Sequence, residues 1–225
     1  IIGFLDDKSV IRASTTAISL ISASESCQVL SRNINTIMEK LKNNLLLSDP
    51  VITNVSLWAV NLMLYKKILA PKDCQGIIDA LFGILNNGEN NSRVLCLIIL
   101  NQIYPKGCDS KRLSSLADCL MGSSLSDEII KEITELVLSS SKTSLDNVKP
   151  LIDHLINKSS TISDEKIVSN IALIVGISSA TNKDYALSLV SSFKNHINDK
   201  GFSQVFALRC IGEIGSLINL SSQND

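Results

Sequence analysis

Apolar positions recur at helical spacing along the whole chain. Between residues 10 and 21 they fall at Val10, Ile11, Ala13, Ala17, Ile18 and Ile21, and between 29 and 46 at Leu30, Ile34, Ile37, Met38, Leu41 and Leu45. Such recurrence marks helices that bury one stripe. The pattern continues through Val51, Val55, Trp58, Ala59 and Leu62, then Ile77, Ile78, Leu81, Phe82 and Leu85. From Ser92 to Ile103 the chain is apolar almost all round, which suits a helix packed on both neighbours. Leu113, Leu116, Leu120 and Met121 come next, followed by Ile129, Ile130, Ile133, Leu136 and Val137. A further pair opens with Ile167, Val168, Ile171, Ala172, Ile174 and Val175 and closes with Ala186, Leu187, Val190, Phe193 and Ile197. A last helix is predicted over 202–221.

The breaks between these stripes carry helix punctuation. Asp49 before Pro50 is a start of the preferred kind: a carboxylate accepts from orphan amides while proline sits where no donor is needed. Pro71, the run Asn86 to Asn91, and Tyr104-Pro105-Lys106-Gly107 are stops or turns, and Gly107 relieves the turn it sits in. Residues 1–5 read as the end of an inner helix, with Asp6 or Asp7 capping the next; Ser126 with Asp127 and Asp146 start later ones, and Pro150 still lies in a first turn. With Asp7, Asp49, Asn90, Asp127, Asp164 and Asp199 as cap markers, the steps are 42, 41, 37, 37 and 35 residues. A stacked array resets at such intervals, and this period belongs to HEAT-type repeats.

The expected fold is therefore an all-α solenoid, HEAT- or ARM-like, of about five to six helix pairs. Their approximate bounds are 7–46, 49–87, 90–122, 126–158, 164–198 and a half pair at 202–221, the first helix of each pair outer and the second inner. Because each pair covers its apolar faces only against its neighbours, and neither end carries a polar capping face, the chain reads as a segment of a longer solenoid.

Composition narrows the function classes. Apolar residues make up 45% and aromatics 4%, so the interior is built from Ile, Leu, Val and Ala, as in packed helices. Lys plus Arg number 21 against 22 Asp plus Glu, giving net charge −1 and no electrostatic footprint for nucleic acid or an anionic membrane. A protein partner is expected. The six cysteines include no CxxC pair and only His154 and His196 could join them at a metal, so reduced, buried thiols are expected, with no cofactor. No apolar run approaches the roughly 18 residues of a membrane span, and no leader pattern opens the chain, which together predict a soluble protein of cytoplasm and nucleus.

No phosphate loop, HExxH or nucleophile elbow occurs, and with two histidines a Ser or Cys nucleophile has few bases; no enzymatic activity is expected. His154 reads as a boundary residue and Trp58, flanked by Val55 and Leu62, as core. The Asn-x-Ser patterns at Asn54, Asn90, Asn157 and Asn219 read as chance matches in an Asn- and Ser-rich chain. Lys40, Lys42, Lys111 and Arg112 fall on inner helices, where arrays bind along the concave face; they are the candidate partner-binding residues, though a solvated polar face explains them equally well.

The last helix orders Ile211-Gly212-Glu213-Ile214-Gly215 and then Leu217 to Ser221. This resembles the cullin-associated, neddylation-dissociated proteins, also described as TATA-binding-protein-interacting proteins, in which a Gly-Glu-apolar-Gly element precedes apolar-Asp-Leu-Ser. The similarity runs collinearly through residues 170–180, 116–140 and 97–107, where Tyr104-Pro105 follows an outer helix as in the family, and covers nearly all 225 residues at low identity. Ser216 and Leu217 depart from the family's polar pair, and Asn219 stands where Asp is usual. The resemblance implies a non-catalytic HEAT-repeat scaffold that wraps an unmodified cullin with its RING subunit. It would block attachment of a ubiquitin-like modifier and promote exchange of adaptor and substrate-receptor modules. An importin-β-like transport receptor, a phosphatase-type scaffold and a repeat domain of an enzyme are the alternatives; the net charge gives no sign of the acidic inner surface usual in the first.

Overall fold

The computed structural model describes residues 2–218 apart from 6, 8, 9, 48, 122–124, 141–144, 146, 147, 163, 181 and 200, and gives no side-chain surroundings for 25–27 and 121. The described residues are all-α, without a strand, and fall into two compact units, Ile1–Pro105 and Lys106–Asp225. The first holds α1 (Ile11–Ala23), α2 (Ile34–Leu45), α3 (Pro50–Tyr65), α4 (Ile78–Asn87) and α5 (Asn90–Ile103). The second holds α6 (Ser110–Met121), α7 (Asp127–Ser139), α8 (Lys149–Lys158), α9 (Glu165–Ala180), α10 (Lys183–Lys194) and α11 (Phe202–Leu217).

Within each unit, helices of the same rank stack. In the first, α1 packs on α3 and α3 on α5, while α2 and α4 form a second row beneath them. In the second, α7 packs on α9 and α9 on α11, with α8 and α10 wedged against α9. The apolar stripes face these contacts: Ile18, Leu57, Val60, Met63, Leu81 and Leu97 are fully buried in one unit, and Ile129, Ile133, Leu155, Ile171 and Ile214 in the other. Burial of such side chains is worth about 1.5–3 kcal/mol each.

The repeat is also written in polar contacts. Ser19 donates to the Val55 carbonyl at 3.1 Å and Arg12 to Asp49 at 3.1 Å, joining α1 to α3. Ser92 donates to Asn54 at 2.8 Å and Gln102 to Asn61 at 2.5 Å, joining α5 to α3. Arg209 reaches Ser169 at 2.7 Å and Glu165 at 2.5 Å, joining α11 to α9. These partners are 36 to 44 residues apart, about one repeat, so the stacking register is held by hydrogen bonds as well as by packing.

Helix starts divide into two groups. Asp49 Oδ1 accepts from the Val51 and Ile52 amides at 2.9 and 3.1 Å, Ser126 from Ile129, and Asp164 from Lys166 and Ile167. Four of the six expected markers do not cap, Asp127 among them, since it is the first residue of α7 behind Ser126. The Asp7 carbonyl accepts the Val10 amide in a turn, so α1 begins only at Ile11; Asn90 lies inside α5 behind Glu89; Asp199 is drawn to His196 at 2.7 Å, leaving Gly201 before α11. Residues 2–4 form a single 3₁₀ turn rather than the end of an α-helix, and Asp6, Asp146, Asn219 and Ser221 lie outside the described residues.

The Asp49 cap makes stability depend on pH. The Ile52 amide, with the Arg12 guanidinium and the Val51 amide, holds its carboxyl below the ordinary 3.8. A depressed folded pKa contributes stability that is fully present above the unfolded value and is lost as pH falls through the folded one. Asp49→Ala is therefore expected to lower the melting temperature at pH 7, with the gap to the parent closing below pH 3.8. Paired melts from pH 7 to pH 2.5 check this, and a gap that stays constant with pH contradicts it.

Trp58 departs from expectation: it is 48% exposed. Helix α3 buries one flank on α1, the other on α5 and its base on α2, which leaves a narrow strip at Val51, Trp58 and Tyr65, seven residues apart. The neighbouring Val55 and Leu62 are only half-buried, so the spacing that reads as core is the edge of this strip. The cysteines Cys74, Cys96, Cys108 and Cys210 are buried, and burial pushes the Cys74 and Cys108 thiols up to about 12.

Candidate protein-binding surfaces

The four candidate cations are divided between the two units. Lys40 and Lys42 lie on α2 of the first unit; two residues apart on a helix, they do not share a face, and only Lys42 is exposed while Lys40 is half-buried. Lys111 and Arg112 lie on α6 of the second unit. Lys111 is exposed, but the Arg112 guanidinium pairs with Asp109 one turn earlier, whose carboxylate also accepts the Arg112 amide at 2.9 Å. Those contacts, the Arg112 amide first, hold the Asp109 carboxyl below the usual range. Arg112 therefore serves the start of α6.

Surface features that the sequence reading missed are built from pairs on adjacent helices. On α8 and α10, the Tyr185 hydroxyl donates to Asp153 at 2.8 Å and the Lys149 ammonium lies 5.1 Å from the Tyr185 ring centre. Burial and the Asp153 carboxylate push the phenol's pKa up, so it remains a neutral donor. On α3 the strip of Val51, Trp58 and Tyr65 presents aromatic surface. Its spacing of seven residues was the available signal. His154 is half-buried, with Nε2 enclosed.

The Gly-Glu-Ile-Gly element lies on α11, with Ile214 fully buried and Cys210 beside it. Gly176 of α9 meets it closely: a Cβ built there would stand 2.8 Å from the Glu213 Cβ and 3.1 Å from its backbone. Phe206 stacks on Phe202 at 6.1 Å and meets the edge of Phe193 at 6.0 Å, which anchors the start of α11. Among the described residues no three His, Cys, Asp or Glu side chains gather as a metal-binding group, and no helix is long and apolar enough to cross a membrane.

No family model matches the sequence, and no curated protein does. Solved structures match over nearly the full length. A computationally designed armadillo repeat protein for modular peptide recognition is 14% identical over 94% of this chain and 97% of its own, with a TM-score of 0.64. An engineered protein is 14% identical over 96% and 97%, with a TM-score of 0.63. A designed armadillo repeat protein in complex with the peptide (KR)4 is 14% identical over 92% and 94%, with a TM-score of 0.60. These likenesses establish the fold, an all-α solenoid of armadillo- or HEAT-like helix pairs.

Proposed function

We propose that this chain is a non-catalytic protein-binding scaffold, working in cytoplasm and nucleus as part of a regulator of cullin-RING ubiquitin ligases. In this role it wraps the unmodified cullin with its RING subunit, blocks attachment of the ubiquitin-like modifier and promotes exchange of adaptor and substrate-receptor modules. The coarser part, protein binding, is supported by the fold: stacked helix pairs present long surfaces that suit an extended protein partner. The designed neighbour in complex with (KR)4 supports the same reading.

The observation that carries the finer part is the contact between α9 and α11. Two of the segments through which the sequence resembles the cullin-associated family, residues 170–180 and 211–215, pack on each other where Gly176 meets Glu213. Separate stretches that contribute the two sides of one close contact support the resemblance more than either stretch does alone. The test is the affinity of the protein for a purified cullin and RING-subunit complex, with and without the modifier attached. Tight binding to the unmodified complex alone is expected. Equal affinity for both forms, or none, would overturn the cullin reading and leave protein binding by a helical array.

A further inference from the structure

The segments joining α2 to α3 and α4 to α5 flank an open groove of about 550 Å³ in the first unit. That lies within the roughly 300–1,000 Å³ typical of binding sites. Its wall is apolar: Leu46 and Leu47 face it while 64% and 42% exposed, opposite Ala80 and Ile84 of α4. Between those two α4 residues lies Gly83, where a Cβ would meet nothing within 4 Å. A glycine inside a helix lowers stability relative to alanine. No contact within the chain requires one here, so α4 leaves the floor of the groove bare.

The polar lining includes Asp49, Asp79 and Glu89, with no lysine or arginine among the described lining residues. Asp49 is already engaged by Arg12 and by the amides of α3. Asp79 and Glu89 have no salt-bridge partner among the described residues. The groove therefore combines uncovered leucines, a bare floor and two carboxylates without a cation.

The geometry points to a docking groove for an extended segment of a partner protein, one that places a lysine or arginine beside an apolar residue. The aliphatic stem of the cation lies over Gly83 and Ile84, its head meets Asp79 at one end of α4 or Glu89 beyond the other, and the apolar neighbour covers Leu46 and Leu47. The assignment rests on the protein-binding reading for the class of occupant and is independent of the cullin reading.

The probe is acetyl-leucyl-arginine amide, titrated into the full chain with labelled leucine, isoleucine and alanine methyls. Its neutral control is acetyl-leucyl-citrulline amide, which keeps the shape and removes the charge. Shifts at Leu46, Leu47 and Ile84 are expected with the arginine probe and at least about tenfold weaker binding with citrulline. Asp79→Asn with Glu89→Gln is expected to weaken the arginine probe by a similar factor. Gly83→Leu should abolish binding without lowering the melting temperature, because leucine fills open space on a helix it favours. Equal shifts with both probes, shifts elsewhere, or none would overturn the assignment. So would shifts of the same methyls by magnesium chloride alone, which would mark a cation site. Unmodified cullin bound equally by the parent and by Gly83→Leu, with the dipeptide inert, would sink the groove and leave the scaffold reading standing. Dipeptide binding that depends on Asp79 and Glu89, without cullin binding, would keep the groove and overturn the cullin reading alone.

Discussion

Gly107→Val is expected to destabilise the protein by about 3 kcal/mol, a fall of roughly 10 °C in melting temperature for a chain of this length. Gly107 has φ +87°, a conformation that costs a β-branched residue about 1–2 kcal/mol. A side chain there would also have no room. Its Cβ would lie 2.5 Å from the Ser140 amide nitrogen and still deeper inside contact with the Ser140 Cα and the Ser139 carbonyl oxygen. The obstacle is backbone at the end of α7, and it is held in place. Ser140 is buried, its hydroxyl accepts the Cys108 amide at 2.8 Å and donates to the Leu136 carbonyl at 2.7 Å. Moving α7 aside would break the bond from the Cys108 amide to Ser140, and a hydrogen bond lost at a buried amide costs about 1–3 kcal/mol. Thermal melts followed by circular dichroism decide the matter, with Gly83→Ala as the control because its Cβ meets nothing. A Gly107→Val protein within about 1 kcal/mol of the parent would show that this corner is not constrained as described.

Gly107 also illustrates what could be read from sequence. Proline followed by glycine after an apolar run marks a helix stop, and the apolar stripes locate the α-helices other than α8, for which only a start was read, because burial of one face leaves its period in the sequence. What depends on geometry between elements was not legible. Asp49 and Asp164 cap helices while Asp7 and Asp199 do not, although all four precede apolar stripes. The difference lies in whether the chain leaves the helix extended or in a turn, and in competitors such as His196. Nothing in the sequence singled out Asn61 or Arg209, and Asn54 only as a chance Asn-x-Ser match, yet each bonds to the corresponding helix one repeat away. Composition offers no sign of that pairing; only comparison of positions 36 to 44 residues apart would reveal it. The surroundings of the candidate cations were hidden for a similar reason: Lys40 and Lys42 share a helix without sharing a face, and Arg112 pairs with Asp109. The groove beside α4 was invisible because its signal is an unfilled position, Gly83, in an otherwise ordinary stripe.

Gly176→Leu is the second substitution with a large expected effect, about 2–3 kcal/mol. Helices α9 and α11 approach so closely at Gly176 that even a bare Cβ would stand 2.8 Å from the Glu213 Cβ, with the Glu213 carbonyl carbon and oxygen at 3.1 Å. Alanine tests the balance of two opposed effects. It gains up to about 1 kcal/mol of helix propensity but requires α11 to yield by a few tenths of an ångström, and because the α11 backbone stands in the way the overlap wins. Gly176→Ala is therefore expected to be destabilising by less than 1 kcal/mol, and leucine cannot be accommodated without moving the helix. That movement would pull Arg209 from Glu165 and Ser169, the bonds that hold the register between the two helices. Two measurements separate this from a general loss of stability. Amide exchange in Gly176→Leu should accelerate in α11 before it does in α7, and Arg209→Met in the parent should reproduce part of the α11 exchange without the fall in melting temperature. A stabilised Gly176→Ala, or uniform acceleration across the second unit, would mean that the α9 to α11 approach is loose. Residues 211–215 would then occupy no fixed position for a partner to read.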